Sequence, residues 1–154
     1  MPCLKCAAVA DYHSFRKFGE FDGASLFYTA PAKTMDYNED GTKLANVKIH
    51  VSEDTLQKPW IWVLDCANMG VAQYTEMSFN IGLLGLLGDD KNLRGVWIIN
   101  PNTWISASVT FLKTFYNAPI LDSIKYLEGS KLELSNMLES MKVDRKSVSW
   151  LLRQ

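Results

Sequence analysis

Trp60–Leu64 (WIWVL) and Val96–Ile99 (VWII) are continuous apolar runs of strand length. Such runs suit strands covered on both faces. Asp65 ends the first, and Asn100-Pro101 ends the second. A helical pattern follows each strand. The first helix is read over Gln73–Leu87, with Gly88 of Gly88-Asp89-Asp90 as its C-cap. The second is read over Thr103–Tyr116 and stops at Asn117-Ala118-Pro119. A third strand is expected at Ile124–Leu127. The alternation requires right-handed crossovers and a largely parallel sheet, so the fold class is α/β.

The flanking segments are read the same way. Tyr12, Phe15 and Phe18 recur at spacing three, which predicts a short helix over Asp11–Phe18. Gly19–Gly23 breaks it, and Ser25–Thr29 reads as a strand ending at Ala30-Pro31. Residues 33–46 are polar, with a turn signal at Asn38-Glu39-Asp40-Gly41. Val47–Val51 (VKIHV) alternates and predicts a half-buried strand with His50 toward solvent. A helix over Lys131–Met141 would turn Leu132, Leu134, Leu138 and Met141 inward. Asp144 would cap a last helix carrying Val148, Trp150, Leu151 and Leu152. Residues 1–20 read as an N-terminal extension and 21–154 as a single domain, with no internal repeat or low-complexity linker.

At 154 residues, 47% apolar and with a net charge of −1, the chain has the composition of one globular domain. No basic field or RNA-binding motif points to nucleic acid. No apolar run is long enough to span a bilayer, and the N-terminus lacks a signal-peptide core. Three cysteines do not make a disulfide framework, so a reducing, cytoplasmic setting is expected. Cys3 and Cys6 form a C-x-x-C pair, but zinc needs four ligands. The remaining Cys66, His13 and His50 stand at no recognised spacing, so the pair reads as two thiols on a frayed terminus. No G-x-S-x-G elbow or P-loop occurs. Gly82, Gly85 and Gly88 suit close helix packing, or room for something lying against the helix. Neither a catalytic residue nor a cofactor nor a metal is therefore expected. Asp65 ends a central strand, where open α/β sheets bind ligands; alternatively its carboxylate caps the loop amides that follow. Asn100 holds the matching position on the next strand, and Asn100-Pro101 suits a helix start.

The two central helices carry more apolar surface than a sheet can cover. On the first, Met77, Ile81 and Leu84 form one line and Phe79, Leu83 and Leu86 another. On the second, Trp104, Ser108, Phe111 and Phe115 form one line, and Ile105, Val109, Leu112 and Tyr116 another. A helix needs one apolar face to pack on a sheet. The surplus implies a cavity or an exposed patch, and such patches mark binding; a thick core with a dimer interface is the plainer alternative.

The stretches WIWVLDCANMG, KNLRGVWIINPNTWISASVTFLKTF and SIKYLEGSKLELSNML, in this order and spacing, resemble the CRAL-TRIO lipid-binding domain over Pro59–Met141. The likeness is to its compact subgroup, attached to Rho GTPase-activating and BCH-type scaffold proteins. It implies a mostly parallel sheet flanked by helices around a hydrophobic pocket, gated by the 103–116 helix. The usual N-terminal helical subdomain is expected to be lacking. Phe79, Leu83, Trp104, Val109, Leu112 and Phe115 would be acyl-chain or gate contacts. The implied ligand is a hydrophobic small molecule or phospholipid, with transient contact at a membrane surface. In the phosphatidylinositol-transfer members a Glu and a Lys hold the headgroup; those places here hold Lys91 and Ser123. A protein-interaction or homodimerisation module with a vestigial pocket is the alternative. A STAS-like domain shares the strand–helix alternation, but Cys66-Ala67-Asn68-Met69-Gly70 lacks its Ser-rich switch.

Overall fold

The computed structural model describes residues 4–9, 13–33 and 43–154, without the side chains of Lys5, Lys43, Met77, Ser78 and Phe79. Five strands form one sheet in chain order: β1 (Arg16–Phe21), β2 (Ala24–Thr29), β3 (Trp60–Asp65), β4 (Leu93–Ile99) and β5 (Ile124–Leu127). β1 runs antiparallel to β2, and β2 through β5 are parallel. The expected α/β class with a mostly parallel sheet is what the chain adopts.

Sheet order equal to chain order has a consequence. Right-handed crossovers that always step in one direction must all lie on one face. That face carries α2 (Lys43–Glu53), α4 (Met77–Gly88) and α5 (Thr103–Phe115), with the short α3 (Val71–Thr75) leading into α4. Val47, Val51, Leu87, Ile105 and Val109 of these helices pack on Phe27, Trp60, Trp62, Val96 and Ile98. After β5 the chain passes to the opposite face, where α6 (Lys131–Ser140) and α7 (Arg145–Leu152) cover Leu26, Tyr28, Ile61, Val63, Trp97 and Ile99. The alternation of 26, 61, 63, 97 and 99 with 27, 60, 62, 96 and 98 is the period of a strand buried on both sides.

Several local expectations are overturned, each for a physical reason. No helix covers residues 13–18; β1 starts at Arg16 and takes in part of the expected N-terminal extension, while residues 10–12 lie outside the described residues. The spacing of three places the aromatics on opposite faces. Phe15 stacks on Phe27 (4.9 Å) and Phe18 on Trp150 of α7 (5.1 Å). Asp22-Gly23 joins β1 to β2, with φ of 49° and 76°, the two positive values that a two-residue hairpin turn requires.

Val47–Val51 is helical, within α2. Valines at i and i+4 share a helix face, and His50 joins them there, so VKIHV satisfies helical spacing as well as alternation. His50 is accordingly buried, while Lys48 and Ile49 are exposed. The expected 73–87 helix is broken at Glu76 (φ −75°, ψ 56°) into α3 and α4. Gly88 stays inside α4, and right-handed Asp89 is the C-cap. Of the three α4 glycines only Gly82 is crowded, because a Cβ there would meet Leu44 Cδ2 of α2 at 2.6 Å. Leu132 is 71% exposed; only Leu134 and Leu138 of α6 are fully buried. The cap of α5 is Asn102 rather than Asn100, its side chain accepting from the amides of Trp104 (3.1 Å) and Ile105 (3.2 Å). Asp144 caps α7 as expected.

Candidate functional site

Periodicity left open which face of α5 turns inward. The sheet takes the line Ile105, Val109 and Leu112, all buried. Ser108 is buried with them, its hydroxyl donating to the Trp104 carbonyl (3.0 Å), so its polar group is satisfied within the helix. Trp104 and Phe115 face outward, 37% and 67% exposed.

Beneath α4 and α5 lies a cavity of about 170 Å³. The sheet floors it with Trp62, Leu64, Val96 and Ile98. α4 contributes Leu83, Leu84 and Leu87, α5 the three inward aliphatics, and α2 contributes Val47. Ile120 and Leu121, from the 3-10 turn before β5, complete the apolar wall, and Gln73, Glu76 and Asn80 supply polar groups. Trp62 is held by its indole N–H donating to Thr29 (2.8 Å), itself a wall residue. A dry cavity of about 150 Å³ accepts benzene, whereas drug-sized ligands occupy roughly 300–1,000 Å³. This conformation therefore admits a short apolar segment, and a whole lipid would require α5 or α4 to move.

Of the six expected contact residues, Leu83, Val109 and Leu112 line the cavity, while Trp104 and Phe115 lie on the outer surface. Phe79 lies outside the described side chains. Trp104 packs against Tyr74 of α3 (5.6 Å between ring centroids). The sequence reading did not single out Ile105, Leu84 and Leu87, nor the individual floor side chains Trp62, Leu64, Val96 and Ile98. Crossover handedness and the two-residue period of WIWVL and VWII carry the signal for the floor. Lys91 and Ser123 are exposed and do not line the cavity.

Asp65 is buried at the end of β3. Its Oδ2 accepts from the Tyr28 hydroxyl (2.7 Å), and its Oδ1 accepts from the Asn100 amide (3.0 Å) and the backbone N–H of Ala67 (3.0 Å). Burial, then the Asp65 hydrogen bond, raise the Tyr28 phenol far above its ordinary range. Burial, then the charge of Asp65, push the Cys66 thiol up to about 12, so it stays protonated at neutral pH. Burial, with a smaller contribution from Cys66, also raises Tyr126. The carboxylate thus anchors the loops after β3 and β4. Elsewhere, Cys6, His13 and His50, which sequence spacing does not connect, come together; Cys66 is not among them.

No protein-family model matches this chain, and no curated protein matches its sequence. Among the described residues no helix is long and apolar enough to cross a membrane.

Proposed function

We propose that this domain binds a hydrophobic ligand without catalysing a reaction on it, with α5 as a gate between the cavity and a membrane surface. The observation that carries the reading is the division of α5. Ile105, Val109 and Leu112 wall an apolar cavity, while Trp104 and Phe115 on the same helix face solvent. Aromatic side chains suit the membrane–water interface. Each methylene buried in the cavity contributes about 0.8 kcal/mol, so affinity needs no polar anchor. The resemblance to the CRAL-TRIO domain supports the same assignment, including the compact form of that fold. Lys91 and Ser123, in the headgroup places, argue against phosphoinositide recognition in the manner of the transfer proteins.

Native mass spectrometry of the purified protein and uptake of cis-parinaric acid from phosphatidylcholine vesicles test the proposal. The wild type should carry a lipid-mass adduct or gain parinaric fluorescence. Val109→Trp, which fills the cavity, should lose both while its circular dichroism is retained. A wild type with neither adduct nor uptake would sink the proposal. A second reading rests on the exposure of Trp104 in the first turn of α5 and of Phe115 and Tyr116 at its C-terminal end: a docking face for a protein partner or a second copy. Under that reading Trp104→Asp abolishes self-association in sedimentation velocity, and Val109→Trp leaves it intact.

A further inference from the structure

Cys6, His13 and His50 come from three separate segments: the short helix α1 (Leu4–Ala8), the turn before β1, and α2. Cys6 Sγ lies 3.6 Å from His13 Nδ1 and 3.5 Å from His50 Nε2, and the two nitrogens are 3.0 Å apart. Tetrahedral zinc bonds of about 2.3 Å to sulfur and about 2.05 Å to nitrogen set S···N edges near 3.6 Å and an N···N edge near 3.3 Å. The three donor atoms therefore describe one face of a zinc tetrahedron to within a few tenths of an ångström.

The surroundings agree with this geometry. His13 and His50 are 1% and 3% exposed. His50 Nδ1 donates to Asp54 Oδ2 at 2.5 Å, four residues on. That bond keeps the proton on Nδ1 and leaves the Nε2 lone pair aimed at Cys6 and His13. A carboxylate behind a ligating histidine is the usual outer partner of a zinc site. Phe15 lies against His50 (5.6 Å between ring centroids) and T-stacks on Trp60 (5.9 Å), giving the cluster an aromatic side. One thiolate and two imidazoles, with no carboxylate among them, suit zinc rather than magnesium or calcium. A hydrogen bond from His13 Nδ1 to His50 Nε2 accounts for one edge of the triangle. Without a metal, the two sulfur edges need the thiol to donate to His50 Nε2 while its sulfur shares the His13 N–H, whereas one metal ion accounts for all three edges at once.

We infer that Cys6, His13 and His50 are three ligands of a Zn²⁺ site, with Asp54 orienting His50. Binding deprotonates Cys6: the thiol proton leaves to solvent as the Zn–S bond forms. The metal ties α1 and the β1 approach to α2, the helix that brings Val47 to the cavity wall and Leu44 against Gly82. Cys3, at the C-x-x-C spacing typical of paired zinc thiolates, lies outside the described residues.

The test uses the full chain, Zn²⁺ in competition with a chromogenic chelator, and Co²⁺ as a spectroscopic probe. The wild type should retain one zinc per chain. Its cobalt form should show tetrahedral d–d bands and a thiolate charge-transfer band. Cys6→Ser should lose the charge-transfer band with the circular dichroism spectrum kept. Asp54→Asn leaves every ligand in place and should weaken zinc binding by about 10–100-fold. A folded wild type that takes no zinc from the chelator overturns the site. So does iodoacetamide labelling of Cys6 at the same rate with and without Zn²⁺, the result expected if Cys6, His50 and Asp54 act instead as a thiol–imidazole–carboxylate row.

Discussion

The two faces of the sheet are built by different rules. Under α6 and α7, Leu138, Val148 and Leu151 are buried against Leu26, Val63 and Ile99. Both helices start on a side-chain cap, Ser130 and Asp144. α6 also ends in a closed turn: Lys142 takes φ 69°, its N–H donates to Glu139, and the Val143 N–H donates to Leu138, as in the Schellman motif. On the other face α4 has no side-chain cap, carries three glycines and borders a cavity. Its apolar residues run round the whole helix, so nothing in its own sequence fixes its rotation. One face is specified locally and then packed. On the other face α5 keeps its own Asn102 cap, but α4 is held by tertiary contact around a void, which makes local rearrangement there less costly.

The largest effect that would break this contrast comes from truncation. Leu138, 1% exposed, should cost about 3 kcal/mol or more as Leu138→Ala in urea unfolding. Leu83→Ala, at a site partly exposed and already beside empty space, should cost about half as much. Equal losses would show that both faces are packed alike.

Asp65 joins the loops at the end of β3 and β4, and its removal should come next. Asp65→Ala leaves the Tyr28 hydroxyl, the Asn100 amide and the Ala67 N–H without their acceptor. The expected loss is about 2–3 kcal/mol, read from the same unfolding curves. Asp65→Asn, which keeps one carbonyl oxygen to accept from Tyr28, should recover part of it. If Asp65→Ala proves neutral, the carboxylate is not the anchor of these loops.

Enlargement should then separate the faces by sign. Val148→Phe overfills the α7 side and should cost about 1–3 kcal/mol. Val109→Phe extends into the cavity and should be neutral or stabilising, with a raised Tm in differential scanning calorimetry. A comparable penalty at both sites would mean that the cavity is closed in solution.

Legibility in the sequence follows the same division. WIWVL and VWII announce β3 and β4 because a doubly buried strand needs no neighbour to be recognised. Asp144 announces its helix because capping is local. α2 was not legible, since Val47, His50 and Val51 satisfy two periods at once and the choice belongs to the packing on Phe27 and Trp60. The inward face of α5 was not legible either, because Trp104 and Phe115 offer as much apolar surface as Ile105 and Val109. Cys6, His13 and His50 lay furthest out of reach. His13 and His50 are 37 positions apart, and only the docking of α2 beside the hairpin brings them together.

The smallest effect concerns the cap that distinguishes α7 from α4. Asp144 accepts from the Ser147 hydroxyl (2.6 Å) and the Ser147 backbone N–H (2.9 Å). The Ser147 side-chain bond, then the backbone bond, hold its carboxyl below the ordinary value of 3.8. A carboxyl lowered in the folded state stabilises the fold above its unfolded pKa, and that contribution is lost as pH falls through the folded pKa. Asp144→Ala should therefore cost about 1 kcal/mol at neutral pH, and the gap to wild type should narrow only below about pH 3.8. Thermal melts of both proteins across the acid range check this. A gap that stays constant into strong acid would assign the stabilisation to packing of the cap residue instead of to its charge.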